Sequence, residues 1–483
     1  MTIRDLEPRL VWEIFDDITR VPRPSKKEGK IIAFLEAFAA EHGLEHRKDA
    51  IGNVVICKPA TAGFESYPTV VLQSHMDMVC EKNSDVKFDF ENDSIRTFID
   101  NGWVKADGTT LGADCGIGMA AALAVLVDPT IAHGPIEALF TVDEETGLTG
   151  AFGLGEGMLR GKYLINLDSE DEGEIFIGCA GGVDTVATFS YEKESAPTGY
   201  AWFRAEVSDL LGGHSGDDID KGRANSNKIV ARLLWEAGRS FDMRMSTFSG
   251  GNLRNAIPRE ACSVFGVPEN RKEEFLKYYE LFAEGVSAEY KITEPGFRIS
   301  LSEVTDADSV IDLKTQRALI DALVGVPNGV IAMSSAVAGL VETSTNLASV
   351  KFEEGNKIVV TSSQRSSVES AKRFVMQSVD SVFTLAGADV AHSDGYPGWT
   401  PDPESHLLAV TVGSYKRLFG SEPKVRAIHA GLECGLFLEK YPELEMVSFG
   451  PTLRGVHSPD ERIEISTVGK FWTLLLDVLA CVK

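Results

Sequence analysis

Val70-Val71-Leu72-Gln73-Ser74-His75-Met76-Asp77 is an apolar run that ends in a histidine and an aspartate. The run reads as a buried strand, with the polar residues just past its carboxyl end. The same grammar returns in Ala138-Leu139-Phe140, which leads into Asp143-Glu144-Glu145, and in Tyr163-Leu164-Ile165, which leads into Asp168. It returns once more in Met446-Val447-Ser448-Phe449, ahead of a loop that carries His457. A further cluster, Gly112-Ala113-Asp114, precedes a small-residue helix, Gly116-Ile117-Gly118-Met119-Ala120-Ala121-Ala122. In open α/β sheets ligands bind beyond the carboxyl ends of the strands, where loops converge. Histidine, aspartate and glutamate gathered there suit a pair of zinc-like ions better than thiolate-bound zinc.

At 483 residues the chain exceeds what one core supports, so more than one domain is expected. Strands and helices alternate from about 53 to 179, the pattern of an α/β sheet. Helical periodicity over 5–21 and 26–42 precedes it, broken at Pro22-Arg23-Pro24. Between 183 and 390 the pattern changes. Strand 202–207, helix 222–238, strands 246–253 and 261–267 and helix 270–288 are followed by the same order: strand 297–303, helix 309–325, strands 343–351 and 357–363, helix 366–386. Two βαββα units of similar length point to a duplicated α+β lid. The α/β pattern resumes from 391. The expected organisation is a discontinuous catalytic domain, 1–182 with 391–483, and an inserted lid, 183–390.

A net charge of −25 opposes nucleic-acid and anionic-membrane partners. No apolar run approaches the roughly 20 residues that span a bilayer, and residues 1–6 resemble no signal peptide, so a cytoplasmic protein is expected. The 7 cysteines are scattered without a C-x-x-C pair and read as reduced thiols. Cys80 and Cys115 fall near the proposed site, where packing is the ordinary role and nucleophilic chemistry the alternative.

Taken singly, each cluster has an ordinary explanation. His75 and Asp77 alternate on a strand end and share a side, so the carboxylate is placed to fix the imidazole tautomer; an H-x-D pair also arises by chance. Asp114 suits a helix N-cap. Glu144 and Glu145 on a strand end can divide metal binding from proton transfer, or form a solvated acidic turn. Asp168 heads a charge run of the kind that is usually exposed. Their joint occurrence at successive strand ends decides for a site.

That joint pattern resembles the dinuclear-zinc exopeptidase family that contains carnosinases, aminoacylases and carboxypeptidase G, and within it a dipeptidase branch. The carrying stretches are LQSHMDMVCEKN (72–83), GTTLGADCGIGMA (108–120), FTVDEETGLTGA (140–151), LINLDSEDEGEIFIGCAGG (164–182), GGHSGDDI (212–219) and FGPTLRGVHSPDERI (449–463). The resemblance implies a phosphorylase/peptidase-like mixed-sheet catalytic domain with an inserted lid. Asp114 would bridge two Zn2+, with His75 and Asp168 completing one site and Glu145 and His457 the other; Co2+ or Mn2+ can occupy such ligands. Asp77 would orient His75, and Glu144 would act as general base and then acid. His214 would donate to the developing oxyanion, its flanking glycines allowing close approach to ligand. Asn255 and Arg365 would hold the substrate carboxylate, and Glu433 the substrate amino group. Cys115 departs from the family, which has Asn or Asp there, after a peptide bond that is cis in relatives.

The implied activity is hydrolysis of unblocked dipeptides, Xaa-His and β-alanyl-histidine among them. A duplicated lid would supply His214 to its own chain's site, so a homodimer is compatible with the sequence without being required. Three alternatives remain: an N-acyl amino acid deacylase of the same superfamily, a non-catalytic binding protein, and a Cys-His hydrolase using Cys80 or Cys115. The intact set of chemical residues, Glu144 included, opposes the second.

Overall fold

The computed structural model describes residues 2–305 and 307–483. The chain divides into two compact units. One runs to Gly178 and resumes over Pro401–Ala427 and Glu433–Lys483; the other comprises Cys179–Thr400 and Ile428–Leu432.

The first unit is built on an 8-stranded mixed sheet. Its order is Glu45–Lys48, Val54–Lys58, Ile136–Thr141, Val70–His75, Tyr163–Asn166, Glu445–Ser448, Glu174–Cys179 and Lys424–Ile428. Ile136–Thr141, Val70–His75, Tyr163–Asn166 and Glu445–Ser448 run parallel to one another. All their residues except Glu445 are buried, which is why each carries an apolar stretch. Parallel direction puts their carboxyl ends on one edge, where His75, the Glu144–Glu145 turn, Asp168 and the His457 loop all begin.

Helix Ala113–Val127 packs against strand Val70–His75 and helix Arg9–Thr19 and is buried almost all round. This follows from its composition of alanine, glycine and large aliphatics. A 4-stranded antiparallel sheet, Leu453–Arg454, Arg462–Glu464, Trp103–Ala106 and Thr97–Asp100, fixes both ends of the His457 loop.

The second unit holds a 9-stranded antiparallel sheet covered by helices Ser226–Ser240, Lys272–Tyr290, Leu313–Gly325 and Glu369–Leu385. Strand and helix follow the expected order, but the pairing is not that of a simple tandem repeat. Strand Arg298–Val304, expected to open the second βαββα unit, pairs instead with Tyr200–Ser208 of the first. The place beside Lys357–Ser366 is taken by Gly181–Ser190. The 309–325 helix begins only at Leu313, because Ser309–Ile311 forms a strand with Lys193–Ser195. Among the described residues no helix is long and apolar enough to cross a membrane.

Candidate metal centre

Asp114 stands between two histidines. Its Oδ1 lies 3.0 Å from His75 Nε2 and its Oδ2 lies 3.2 Å from His457 Nε2. His75 Nε2 also lies 3.2 Å from Asp168 Oδ1, and His457 Nε2 lies 3.0 Å from Glu145 Oε2. One carboxylate thus offers an oxygen to each of two ligand groups. The atoms of His75 and Asp168 lie within 4.8 Å of one another, as do those of Asp114, Glu145 and His457. Glu144 and Glu145 both come within 4.8 Å of His75.

Local structure explains each placement. His75 ends its strand, and its Nδ1 lies 3.4 Å from Asp77 Oδ1. Asp77 also accepts from the backbone N–H groups of Glu144 (3.0 Å) and Glu145 (3.3 Å) and from Ser25 Oγ (2.7 Å). One buried carboxylate therefore stands beside the imidazole and seats the glutamate turn. Glu144 and Glu145 open a short helix, Glu144–Gly147, rather than continuing a strand, because Asp143 adopts a left-handed conformation with φ 49°. The turn is not solvated: the Glu145 side chain is 4 % exposed. Asp114 is not an N-cap either, since its φ −82° and ψ 113° are non-helical and its carboxylate faces imidazoles. The Asp114-Cys115 peptide bond is cis. Asp168 is largely buried, so the ordinary account of a charge run fails at its first residue.

The electrostatics follow from packing carboxylates around two imidazoles. Burial opposes charge on His75, yet Asp168, Asp114 and Asp77 raise its pKa well above the ordinary value. Hydrogen bonds to Asp114 and Glu145 raise His457 to about 11. Burial would raise Asp114, but the two histidines hold it well below the usual carboxylate range. Burial lifts Asp168 to about 6 and pushes Glu144 well above its ordinary value, with Asp168, Glu433 and Glu145 adding to the latter. Asp77, despite burial, is held at about 2 by His75, Ser25 and the Glu144 amide.

The donor set fits divalent cations. Its carboxylates and imidazoles are hard and borderline ligands, suited to zinc, cobalt or manganese. Asp168 Oδ1 is buried without a hydrogen-bond partner although it lies 3.2 Å from His75 Nε2, an orphaned oxygen aimed at the same point as the imidazole.

The thiols do not fit a nucleophilic role. Burial raises Cys115 well above its ordinary pKa and Cys80 to about 11, with carboxylates adding to both. Each stays a thiol at neutral pH, and the thiolate is the nucleophile.

Glu433 begins a helix and is 2 % exposed. Its Oε2 accepts from Gln73 Nε2 (2.7 Å) and Thr141 Oγ1 (2.8 Å), while Oε1 is buried without a partner. Burial raises its pKa to about 8.

His214, Asn255 and Arg365 lie in the second unit and form one cluster there. Gly213–His214 pairs with Ala256–Ile257, and Ser215 N donates to Asn255 O at 2.8 Å. Arg365 is 7 % exposed; its Nε faces Ser215 Oγ at 3.4 Å and its Nη1 donates to Tyr396 OH at 3.0 Å. Among the described residues no carboxylate forms an ion pair with it. The N–H groups of Gly216 and Asp217 both point at His214 Nδ1 (3.3 Å each), and Asp217 Oδ2 lies 3.4 Å from the same nitrogen. The neighbouring glycines answer to the protein rather than to a ligand. Gly213 has φ 138°, and a Cβ on Gly216 would collide with His429 O.

Sequence reasoning missed two buried charges beside the centre. In the sequence Arg23 is part of a Pro-Arg-Pro break, and Glu461 follows Asp460 in the loop after His457. The sole sequence signal for Glu461 is its position four residues after His457.

Known proteins resemble this chain over most of its length. The family description "Peptidase family M20/M25/M40" matches residues 71–480. The cytosol non-specific dipeptidase of Escherichia coli (strain K12) is 43% identical over 477 residues, covering 99% of this chain and 98% of that protein. The crystal structure of aminoacylhistidine dipeptidase from Vibrio alginolyticus superposes with TM-score 0.96 at 44% identity, over 100% of this chain and 98% of the other. That of the aminopeptidase PepT from Bacillus cereus shares the fold, with TM-score 0.58, 17% identity and 98% of each chain covered. With more than half its length matched and a near-full-length relative at this identity, the chain belongs to peptidase family M20/M25/M40.

Proposed function

We propose that the protein is a dizinc metallo-dipeptidase that hydrolyses unblocked dipeptides, Xaa-His and β-alanyl-histidine among them, in the cytosol. The observation that carries this reading is Asp114, with one oxygen turned to His75 and the other to His457. The names of the two relatives above 40% identity, a non-specific dipeptidase and an aminoacylhistidine dipeptidase, support the substrate class.

In this reading His75, Asp168 and Asp114 hold one ion, and Glu145, His457 and Asp114 the other. Two such ions supply Lewis acidity and make water acidic enough to deprotonate near neutral pH. The first unit serves as the catalytic domain and the second as the lid, which extends to Thr400 rather than ending at 390 because Asp389–His392 pairs with Gly181–Ser190. Asp77 keeps the His75 ring in register and fixes the turn that carries Glu144. Glu144 accepts a proton from the attacking water on its carboxylate and returns it to the leaving amine nitrogen. His214 donates from Nε2 to the carbonyl oxygen as negative charge builds there. Arg365, with Asn255, receives the substrate's terminal carboxylate in its planar fork. The free Oε1 of Glu433 accepts from the substrate amino group. Fixing both ends of the substrate limits it to dipeptide length.

Release of histidine from β-alanyl-histidine and a dipeptide panel tests this, with chelator and zinc, cobalt or manganese add-back. Cleavage that chelation abolishes and metal restores is the expected result. Cleavage of N-acetylated amino acids in place of dipeptides would replace the reading with a deacylase.

A further inference from the structure

The turn 111–114, which presents Asp114, is held by two buried opposite charges from distant parts of the chain. Glu461 is 2 % exposed and accepts from four consecutive backbone N–H groups. Its Oε2 takes Leu111 N (2.7 Å) and Gly112 N (2.9 Å), and its Oε1 takes Ala113 N (2.7 Å) and Asp114 N (3.3 Å). Arg23, 1 % exposed, donates from Nη2 to Gly112 O on the same turn. Its Nη1 reaches Met76 O (3.1 Å) and Asp77 O (2.6 Å), just past His75. Gly112 is required at the contact. Its φ is +69°, and a Cβ there would stand 2.6 Å from Arg23 Nη2.

We infer that Glu461 is a positioning residue that sets the His457 loop in register with the Asp114 turn, while Arg23 sets the same turn in register with His75. The argument is geometric. Asp114 can divide its oxygens between His75 and His457 only if the turn is fixed relative to both loops. Glu461 belongs to the His457 loop and grips the turn through its backbone, leaving the Asp114 carboxylate untouched. A carboxylate that accepts four N–H groups has all its lone pairs engaged, and no other side chain type does this. Glutamine offers one acceptor oxygen and turns an NH2 group toward two N–H donors. Aspartate keeps the charge but is one methylene short. Arg23 and Glu461 are unlike charges buried in one structure, so each also offsets the cost of burying the other.

This inference rests on the metal-centre reading, and the experiment separates the two. Chelator-stripped protein is titrated with Co2+, followed by visible absorption and by metal content after gel filtration, for wild type, Glu461→Gln, Glu461→Asp and Ile463→Ala. Ile463 is a buried apolar neighbour that makes no bond to the turn, so its variant reports loss of stability alone. Wild type and Ile463→Ala should each take two equivalents. Glu461→Gln should keep one site and bind the second ion about 10–100-fold more weakly, with an altered cobalt spectrum. Glu461→Asp should fall between and serves if the glutamine variant does not fold. Glu461 variants that bind both ions as wild type does, with only a lower melting temperature, would overturn the inference. Wild-type protein that binds no divalent ion would overturn the metal reading, and the inference with it.

Discussion

Replacing Arg365 with methionine should erase the distinction between a dipeptide and its C-terminal amide. The guanidinium is buried, and its described partners use only Nε, toward Ser215, and Nη1, toward Tyr396. Nη2 makes no hydrogen bond among the described residues, so a free edge of the fork remains for a carboxylate. A hydrogen bond to a charged group contributes about 1.5–3 kcal/mol. Two bonds to one carboxylate, less the solvation that both ions lose, leave about 3 kcal/mol, or roughly 100-fold in kcat/KM. Methionine preserves the straight apolar stem and leaves Tyr396 OH without its donor, a cost that bears equally on both substrates. The assay is kcat/KM for one dipeptide and its amide, with wild type and Arg365→Met at matched metal content. Wild type should prefer the free acid by about 100-fold. The variant should lose about that factor on the acid and less than about threefold on the amide. An equal loss on both substrates would refute the reasoning and make Arg365 a structural residue.

Glu144→Gln should lower kcat by about 10²–10⁴-fold while metal content stays that of wild type, read by turnover and elemental analysis together. Stripping the metals should destabilise the protein by about 2.7 kcal/mol for each site that had been held at 100 times its Kd, measured by urea unfolding with and without chelator. His429, 6 % exposed, is lowered from 6.5 to about 4 by burial, then by Arg365, with Asp217 acting the other way and His214 adding to the lowering. Its native form is therefore neutral, while the unfolded chain protonates near the ordinary value. The contribution is full above about pH 6.5 and is lost as pH falls toward about 4. Wild type should lose about 2 kcal/mol more than His429→Gln between about pH 7.5 and about pH 5 in urea titrations. Parallel profiles would show that the ring is not held neutral.

The parallel core and the residues at its edge were legible because both follow from local chemistry. A strand buried on both faces carries a largely apolar run, and polar residues at its carboxyl end lie at the sheet edge. His75, Asp168 and the Glu144–Glu145 pair were found this way. Reading stopped where the outcome depends on distant partners. Asp114 has the residue type and position of an N-cap, and distant groups divert it: two imidazoles face its carboxylate, and Glu461 and Arg23 hold its turn. Glu144 and Glu145 leave the strand because Asp143 bends left-handed, a choice tied to burial of its carboxylate against Thr146 and Thr149. Arg23 and Glu461 look in sequence like any loop charges, since nothing local marks a charge whose partners lie 89 and 350 residues away. The pairing of Arg298–Val304 with Tyr200–Ser208 escaped for the same reason. Order along the chain does not determine which edge of a sheet a strand joins.

The strand Glu445–Ser448 lies between Tyr163–Asn166 and Glu174–Cys179 in the sheet, yet it leaves the ribosome after the other strands of that sheet. Until it arrives, the sheet has a gap in its middle and the His457 loop does not exist. Closing a flexible loop of the 343 residues that separate Asp114 from His457 would cost about 5 kcal/mol of chain entropy. The second unit trims that cost by about 1 kcal/mol, because its long segment starts and finishes on neighbouring backbone, Cys179 N donating to Trp399 O at 2.9 Å. Once folded, it returns the chain to its point of departure, and more than two hundred residues behave like a short turn. The long insertion thereby helps to close the sheet that it interrupts.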